Sequence, residues 1–369
     1  MSDKKSIKIK KKIIISSLTM NKNHYKFEKR LIETILNKFK DYKVYLFVSQ
    51  KLILKQKKIS EIEFNNYRRS FLHKIYTFYF GLKKITKKID PDIIISCDSI
   101  TPNVVTKKLF TYYHTPSPFF YSSLYDLLNN LIFKAQGRIY SFFFNINLKK
   151  NTSIIVQSNW MKKEFSKRFQ KNKIIVANLE YIHNTRKQKT KNKKYQNFLY
   201  PSFPYIYKNF ELLGETAKIL EENKSWDGKI IFTFNVKQNS YAKHIYKKYN
   251  HLSSLKFIGF QTNKKLLNLY KNSDALIFPS MMETWGLPLS EAKKNNLPII
   301  AADLQYAHET IGTYHSSSFF DPKDHVKLSK LLLKANSGEN IFKKTIFQNP
   351  KKNYAQTNEK LINLLINSK

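Results

Sequence analysis

The chain has 369 residues and a formal net charge of +40, and 42% of its residues are hydrophobic. This length and apolar content predict two folded domains and exclude an intrinsically disordered chain. The single cysteine, Cys97, excludes an internal disulfide framework and a cysteine-based zinc cluster, and is typical of a reducing compartment.

Strand-like and helix-like segments alternate from the start of the chain. Strands are predicted at 11–17, 43–49, 92–96, 109–114 and 153–158, and helices at 25–40 and 67–88. The apolar "IIISSL" that follows the basic N-terminus is too short for a signal peptide and predicts the first strand. No run reaches the roughly 18–20 apolar residues of a membrane-spanning helix. The alternation favours a parallel sheet covered by helices on both faces.

A basic, polar segment at 183–196 interrupts this pattern, which then restarts. Strands are predicted at 197–202, 229–235, 255–260, 275–280 and 297–303, with helices at 210–222, 263–272, from about 287, at 323–335 and at 358–367. We expect a first domain at 1–185, a linker at 186–196, a second domain at 197–355 and a C-terminal helix at 356–369 that packs back on the first domain. Neither a GxGxxG nor a P-loop pattern occurs, which argues against dinucleotide oxidoreductases and P-loop NTPases.

The stretch "PSMMETWGLPLSEA" at 279–292 combines a predicted strand end, a turn and a helix start. Pro288 suits the first helical turn, and Gly286 allows a ligand to approach the backbone closely. Glu283 and Glu291 then flank a helix start whose free N–H groups favour an anion. Carboxylates are strong acceptors for sugar and ribose hydroxyls. Either glutamate alone is better explained as a solvated charge, but their spacing around this turn favours a binding site.

Segment 255–322, with Glu283 and Glu291 as an E-x7-E pair and "NNLPIIAADLQYAHETIG" after it, resembles the C-terminal domain of family 4 glycosyltransferases. That resemblance extends more weakly over the chain from about residue 90. It implies an α/β GT-B fold, in which two doubly wound Rossmann-like domains face each other across a cleft. The first domain would be on the acceptor side, and the second would bind the nucleotide sugar.

The resemblance also implies site residues. Glu283 would contact the donor sugar and Glu291 the nucleotide ribose, with main-chain amides of Trp285, Gly286 and Leu287 around the sugar. "YPSFPYIYKNF" at 200–210 resembles the phosphate-binding stretch, where Lys208 matches the lysine and Phe203 stands where an arginine is common. "FTYYHTPSPFF" places His114 at a strand end, like the family histidine beside the sugar. The catalytic candidates are therefore His114 and Glu283, and the donor-binding candidates are Lys208, Trp285, Gly286, Leu287 and Glu291.

The implied reaction is retaining transfer of a sugar from a nucleoside-diphosphate donor to a hydroxyl of a glycan or lipid-linked glycan, in cell-surface polysaccharide or lipopolysaccharide synthesis. It implies no cofactor and no metal. The "DPD" at 90–92 precedes a predicted strand, so we interpret it as strand-entry residues and not as a metal site. We expect a cytoplasmic enzyme, peripheral at the inner face of the membrane.

Two other classes stay open. A glycine-free first loop at 16–27 and Phe203 are compatible with a catalytically degenerate scaffold. The charge and the aromatic stretches are compatible with a nucleic-acid-binding protein, but the basic residues comprise 60 lysines and only 6 arginines, whereas nucleic-acid readers usually use arginine. No recognition motif is present and core packing explains the aromatics, so we expect no nucleic-acid partner. An anionic membrane surface is a further candidate partner, through the aromatic stretch at 119–150.

Overall fold

The computed structural model describes residues 11–19, 26–50, 59–116, 142, 145–168, 173–177, 194–347 and 354–368. The chain divides into two compact units: Met1–Leu179 together with Lys351–Lys369, and Glu180–Pro350. Each unit is built around its own sheet. The segments 117–141 and 178–193, which hold most of the predicted membrane-binding stretch and of the predicted linker, lie outside the described residues.

The first unit contains an eight-stranded sheet in the order β15-β7-β6-β5-β4-β1-β2-β3. Its neighbouring strands all pair in parallel. Central strands such as "KKIIISS" are continuous apolar runs because helices cover both faces of a parallel sheet. The strands are β1 Lys11–Ser17, β2 Tyr42–Val48, β3 Ile59–Glu63, β4 Ile93–Ser96, β5 Lys108–Tyr113, β6 Ser153–Val156, β7 Lys173–Ala177 and β15 Tyr354–Ala355.

Helices pack on both faces of this sheet. Helix α1 (Lys26–Lys38) and the C-terminal helix α10 (Asn358–Asn367) contribute Leu31, Ile35 and Leu361 to one core cluster. On the other face, Phe78 and Leu82 come from α2, a continuous helix of three parts: Phe71–Tyr76, a π turn at Thr77–Gly81, and Leu82–Ile89. Helix α3 (Asn159–Arg168) follows β6. The C-terminal residues thus belong to the first unit.

The second unit contains a seven-stranded sheet in the order β10-β9-β8-β11-β12-β13-β14. Only β14 is antiparallel to its neighbour. The strands are β8 Asn197–Tyr200, β9 Lys229–Phe232, β10 Leu255–Phe257, β11 Ala275–Phe278, β12 Ile299–Ala302, β13 Tyr314–Phe320 and β14 Lys343–Thr345. The helices are α4 Phe210–Glu222, α5 Ser240–Tyr249, α6 Asn263–Asn272, α7 Leu287–Lys294, α8 Gln305–Ile311 and α9 His325–Asn336.

The α/β class and two Rossmann-like sheets are confirmed, and the helices at 210–222, 263–272 and 358–367 have the predicted bounds. The helix predicted at 67–88 begins at Phe71, because the Ser70 side chain caps it by accepting from the His73 amide. Strands β3, β7, β13, β14 and β15 were not predicted. The sequences "ISEIE" of β3 and "YHSSSFF" of β13 are too polar to give the apolar signal of a buried strand. Strands β14 and β15 have only three and two residues, whereas "KIIVA" of β7 carries the apolar signal and was missed.

Two buried carboxyl groups lie at the carboxyl ends of β1 and β4. The Ser17 hydroxyl donates to Oε1 of Glu28 at 2.9 Å, and the Ser16 hydroxyl donates to Asp98 at 2.6 Å. Glu28 is fully buried. Burial, with a smaller contribution from the Asp98 charge, raises the pKa of Glu28 from 4.5 to about 7. Between pH 4.5 and about 7, the folded state therefore holds on Glu28 a proton that the unfolded chain has released.

This raised pKa predicts that Glu28→Gln stabilises the protein at neutral and alkaline pH. In the wild type, the stability that protonated Glu28 contributes is fully present below the unfolded pKa and is lost as pH rises to about 7 and above. Glutamine does not ionise, so the variant gains about 3 kcal/mol at pH 8 relative to pH 4. Urea unfolding at both pH values measures this gain. Glu33→Gln, at an exposed position of the same helix, is the control, and a pH-independent difference at Glu28 would contradict the assignment.

Candidate active site

Two loops meet at the carboxyl edge of the second sheet. Strands β8 and β11 are parallel neighbours, so the segments that follow them leave the sheet at the same edge. The Lys208 ammonium forms an ion pair with the Glu283 carboxylate there. The side chains of Lys208 and Glu283 are only 12% and 13% exposed. The structure thus brings together two of the predicted site residues, 75 positions apart in the chain.

Lys208 makes contacts through both its main chain and its side chain. It ends a short 3-10 helix, Ile206–Lys208, and its carbonyl accepts from the Tyr200 hydroxyl at 2.6 Å. Its ammonium lies over the rings of Tyr207 and Phe278, at 5.2 and 5.9 Å from their centroids. Aromatic faces attract a cation, and with little water the positive charge acts strongly on nearby groups. Burial and the Glu283 charge together raise the pKa of Tyr207.

The turn between Glu283 and α7 depends on Gly286. Its backbone is left-handed, with φ of +83°, and it caps the start of the helix. A Cβ atom there would lie 3.1 Å from Leu289 Cδ1. Leu287 opens the helix and is 47% exposed, and Pro288 follows it in the first turn as predicted. Within residues 194–347 no side chain caps this helix start, so its first N–H groups suit an anionic ligand.

The Trp285 side chain anchors this turn. The indole is only 6% exposed, and its N–H donates to the Ser290 hydroxyl at 2.8 Å. The Thr310 hydroxyl donates to the Trp285 carbonyl. These two contacts fix the position of the Trp285 main chain, whose amide is among the predicted donor contacts.

Glu291 lies in the second turn of α7 and is half-buried. The buried Tyr270 hydroxyl lies beside it, and burial together with the Glu291 charge raises the pKa of Tyr270. Glu283 and Glu291 are therefore placed at either side of the start of α7.

Among the described residues, no group of three His, Cys, Asp and Glu side chains is placed to hold a metal ion. Asp92, in the "DPD" stretch, accepts from the Lys12 amide at 2.9 Å at the entry to β4.

His114 belongs to the first unit, directly after β5. Its ring nitrogen Nδ1 is 3.0 Å from the Ser99 hydroxyl, which also accepts from the His114 amide at 3.1 Å. Burial lowers the pKa of His114 to about 4. The imidazole is therefore neutral at pH 7, and suits hydrogen bonding to hydroxyl groups. The two catalytic candidates, His114 and Glu283, lie on different units.

Phe203, which stands where the resemblance leads one to expect an arginine, adds no positive charge to this edge of the sheet. It is 46% exposed and stacks on Phe260, which is 65% exposed, with ring centroids 6.2 Å apart. The stacking with Phe260 was not apparent from the sequence, because the two residues follow different strands. The contact between the Tyr207 ring and the Lys208 ammonium was also not predicted. Its only signal was its place beside Lys208 in an aromatic stretch.

Comparisons with known proteins show what this chain is similar to. Residues 182–353 match the family described as "Glycosyl transferases group 1". Over 243 residues the chain is 19% identical to the O-antigen chain mannosyltransferase RfbU of Salmonella typhimurium, a match that covers 64% of this chain. The chain spans 63% of the length of that curated relative.

Two solved structures have a similar fold. The apo lipopolysaccharide outer core galactosyltransferase WaaB superposes with a TM-score of 0.58 at 15% identity, covering 97% of this chain and 99% of that one. The Anabaena protein HepE, in complex with UDP-glucose, superposes with a TM-score of 0.56 at 14% identity, covering 89% and 93%. The chain thus has the GT-B class of fold, and its residues 182–353 are similar to the group 1 glycosyltransferases.

The close packing at Gly286 predicts that Gly286→Ala is strongly destabilising. The change combines a left-handed backbone with overpacking against Leu289, at a cost of roughly 2–4 kcal/mol. Gly338→Ala is a matched control, because Gly338 has φ of +91° and an added methyl group would meet no neighbouring atom within 4 Å. The control should lose only about 1 kcal/mol. Urea unfolding of both variants measures this, and equal losses would refute the packing argument.

Proposed function

We propose that this chain is a retaining, metal-independent glycosyltransferase that moves a sugar from a nucleoside-diphosphate sugar to a hydroxyl of a glycan or lipid-linked glycan. The observation that carries the proposal is the Lys208–Glu283 ion pair at the strand edge of the second unit. The family match over 182–353 includes both residues. HepE, with a similar fold, was solved with UDP-glucose, which supports a nucleotide sugar as donor.

The chemistry of the pair suits such a donor. A diphosphate would take the place of Glu283 as the anionic partner of Lys208. The released Glu283 carboxylate would then accept hydrogen bonds from sugar hydroxyls. The start of α7 would supply N–H groups and the positive end of its dipole. As the bond to the diphosphate breaks, Lys208 would stabilise the charge that develops on the leaving group.

Glu291 and His114 complete the proposed site. Glu291 would accept from the ribose hydroxyls, as the resemblance to family 4 glycosyltransferases implies. His114, neutral because its pKa is lowered to about 4, would hydrogen-bond the donor sugar from the first unit. The acceptor hydroxyl would attack the anomeric carbon on the face that the diphosphate leaves, which retains the configuration. The first unit would bind the acceptor.

The names of two similar proteins support a biological setting for the proposed activity. RfbU is named an O-antigen chain mannosyltransferase and WaaB a lipopolysaccharide outer core galactosyltransferase. We propose synthesis of a cell-surface polysaccharide or lipopolysaccharide, at the cytoplasmic face of the membrane.

A second candidate is a catalytically degenerate member that acts as a scaffold. The exposed Phe203, which stands where an arginine of the phosphate clamp is common, favours it. Transfer or hydrolysis of a sugar nucleotide by the purified protein would exclude this candidate. Binding of a nucleotide without either activity would favour it.

The proposed donor site predicts stabilisation by one nucleoside diphosphate from a panel. A ligand at 100 times its dissociation constant adds about 2.7 kcal/mol to the free energy of unfolding, which raises the melting temperature. Glu291→Ala should abolish the rise, because it removes the ribose acceptor. Glu222→Ala, at an exposed position of α4, should keep it. If no nucleotide stabilises the wild type, the donor site is wrong, and the scaffold candidate is favoured.

A further inference from the structure

Helix α2 presents a row of large apolar side chains to solvent. Leu72, Tyr76 and Phe80 are 74%, 64% and 64% exposed. A spacing of four residues places them along one face of the helix. The rings of Tyr76 and Phe80 stack, with centroids 6.0 Å apart and an angle of 24° between the planes. A contiguous exposed apolar row of this kind marks an interaction surface.

These side chains do not belong to the core of the first unit. That role falls to Phe78 and Leu82 of the same helix, which are buried against Ile14 and Phe47. The expectation that core packing explains the aromatic residues of the chain is wrong for Tyr76 and Phe80. The π turn at Thr77–Gly81 lies within the exposed row, and π turns are frequent at functional sites.

An open groove of about 740 Å³ runs beside the row. Leu72 and Tyr76 line it on the side of α2, and Phe64 and Tyr67 line it from the segment that precedes the helix. The apolar surface therefore continues from the helix into the groove.

The charged side chains of α2 itself are all positive, and one carboxylate, that of Glu63, lines the neighbouring groove. Residues 65–89 contain no Asp or Glu, and they contain two arginines and five lysines, which gives seven positive charges. Lys74, Lys83, Lys84, Lys87 and Lys88 are all exposed. A surface that combines apolar side chains with a basic border is complementary to an anionic bilayer, whose headgroups meet the lysines while the apolar row enters the acyl boundary.

We propose that this face of α2, made of Leu72, Tyr76, Phe80 and the surrounding lysines, docks the protein on an anionic lipid bilayer. A second copy of the chain fits poorly, because a two-fold contact through this face would oppose seven positive charges with seven more. Among the described helices, none is long and apolar enough to cross a membrane, so the proposal concerns binding to the surface. The aromatic stretch at 119–150, the candidate for this role from the sequence, lies mostly outside the described residues.

Co-sedimentation of the full chain with vesicles tests the proposal. The wild type should bind vesicles of phosphatidylcholine mixed with phosphatidylglycerol, and bind pure phosphatidylcholine far more weakly. The triple variant Leu72→Ser, Tyr76→Ser, Phe80→Ser should lose roughly 100-fold in partitioning. Lys83→Glu with Lys84→Glu should lose roughly tenfold or more, and this loss should shrink in high salt. A triple control, Leu267→Ser, Val326→Ser, Ile346→Ser, removes exposed apolar side chains of the second unit and should bind like the wild type.

A site-specific label gives an independent readout. Cys97 is fully buried, so Phe80→Cys introduces an accessible thiol for an environment-sensitive fluorophore. Its emission should shift to the blue on anionic vesicles, whereas a label at Ile346→Cys should not shift. Unchanged melting temperatures and unchanged nucleotide binding confirm that the variants fold and separate this surface from the donor site.

Three results would overturn the proposal. The first is that the wild-type protein does not bind anionic vesicles. The second is that the α2 triple variant and the control triple variant bind the vesicles equally. The third is that the wild type forms a concentration-dependent dimer, which the α2 triple variant does not form. The last result would assign the face to a second copy of the chain. Loss of donor binding with intact vesicle binding would instead contradict only the proposed activity.

Discussion

The ion pair between Lys208 and Glu283 is the contact on which the site in the second unit depends. It joins the segments that follow β8 and β11, two neighbouring parallel strands. Both side chains are nearly buried, and a buried charge needs a partner. Each is thus the partner the other requires while no ligand is bound. A ligand that brings both a negative charge and hydroxyl groups satisfies the two side chains separately, which is what a nucleotide sugar provides.

The other parts of the site are fixed before any ligand binds. Helix α7, which carries Glu291, is tied to α8 by the hydrogen bond from Thr310 to the Trp285 carbonyl and by Lys293, whose ammonium donates to the Thr310 carbonyl at 3.1 Å. Burial lowers the pKa of Lys293 to about 8. Side chains held in this way keep a binding site in its productive geometry. The same principle applies in the first unit, where Ser99 fixes the ring of His114.

The lysines of the chain fall into three groups with different surroundings. Most of the lysines that the structure describes are exposed. Lys208 differs because burial and two aromatic rings hold it, and the lysines of α2 differ because they border an exposed apolar row. Composition alone does not separate these three groups, since all consist of the same residue type. Burial and neighbouring side chains separate them.

Most features of the fold that have a local sequence signal were predicted, and features that depend on distant contacts were not. The alternation of apolar strands with amphipathic helices predicted both sheets, and Gly286 with Pro288 predicted the start of α7. The pairing of Lys208 with Glu283 was not predicted, because neither spacing nor periodicity reports contacts 75 residues apart. The exposed face of α2 was not predicted either. A tyrosine or phenylalanine at helical spacing has the same pattern whether it faces the core or the solvent.

The measurement that tests the central claim most directly is a double-mutant cycle of Lys208→Met and Glu283→Gln, with UDP binding followed by calorimetry. If the diphosphate replaces Glu283 as the partner of Lys208, Glu283→Gln strengthens binding, Lys208→Met weakens it, and the double variant resembles Lys208→Met. The loss on removing Lys208 is then larger when Glu283 is absent, with a coupling of about 0.5–3 kcal/mol. Wild-type affinity in Lys208→Met, or effects that add within about 0.5 kcal/mol, would contradict the account.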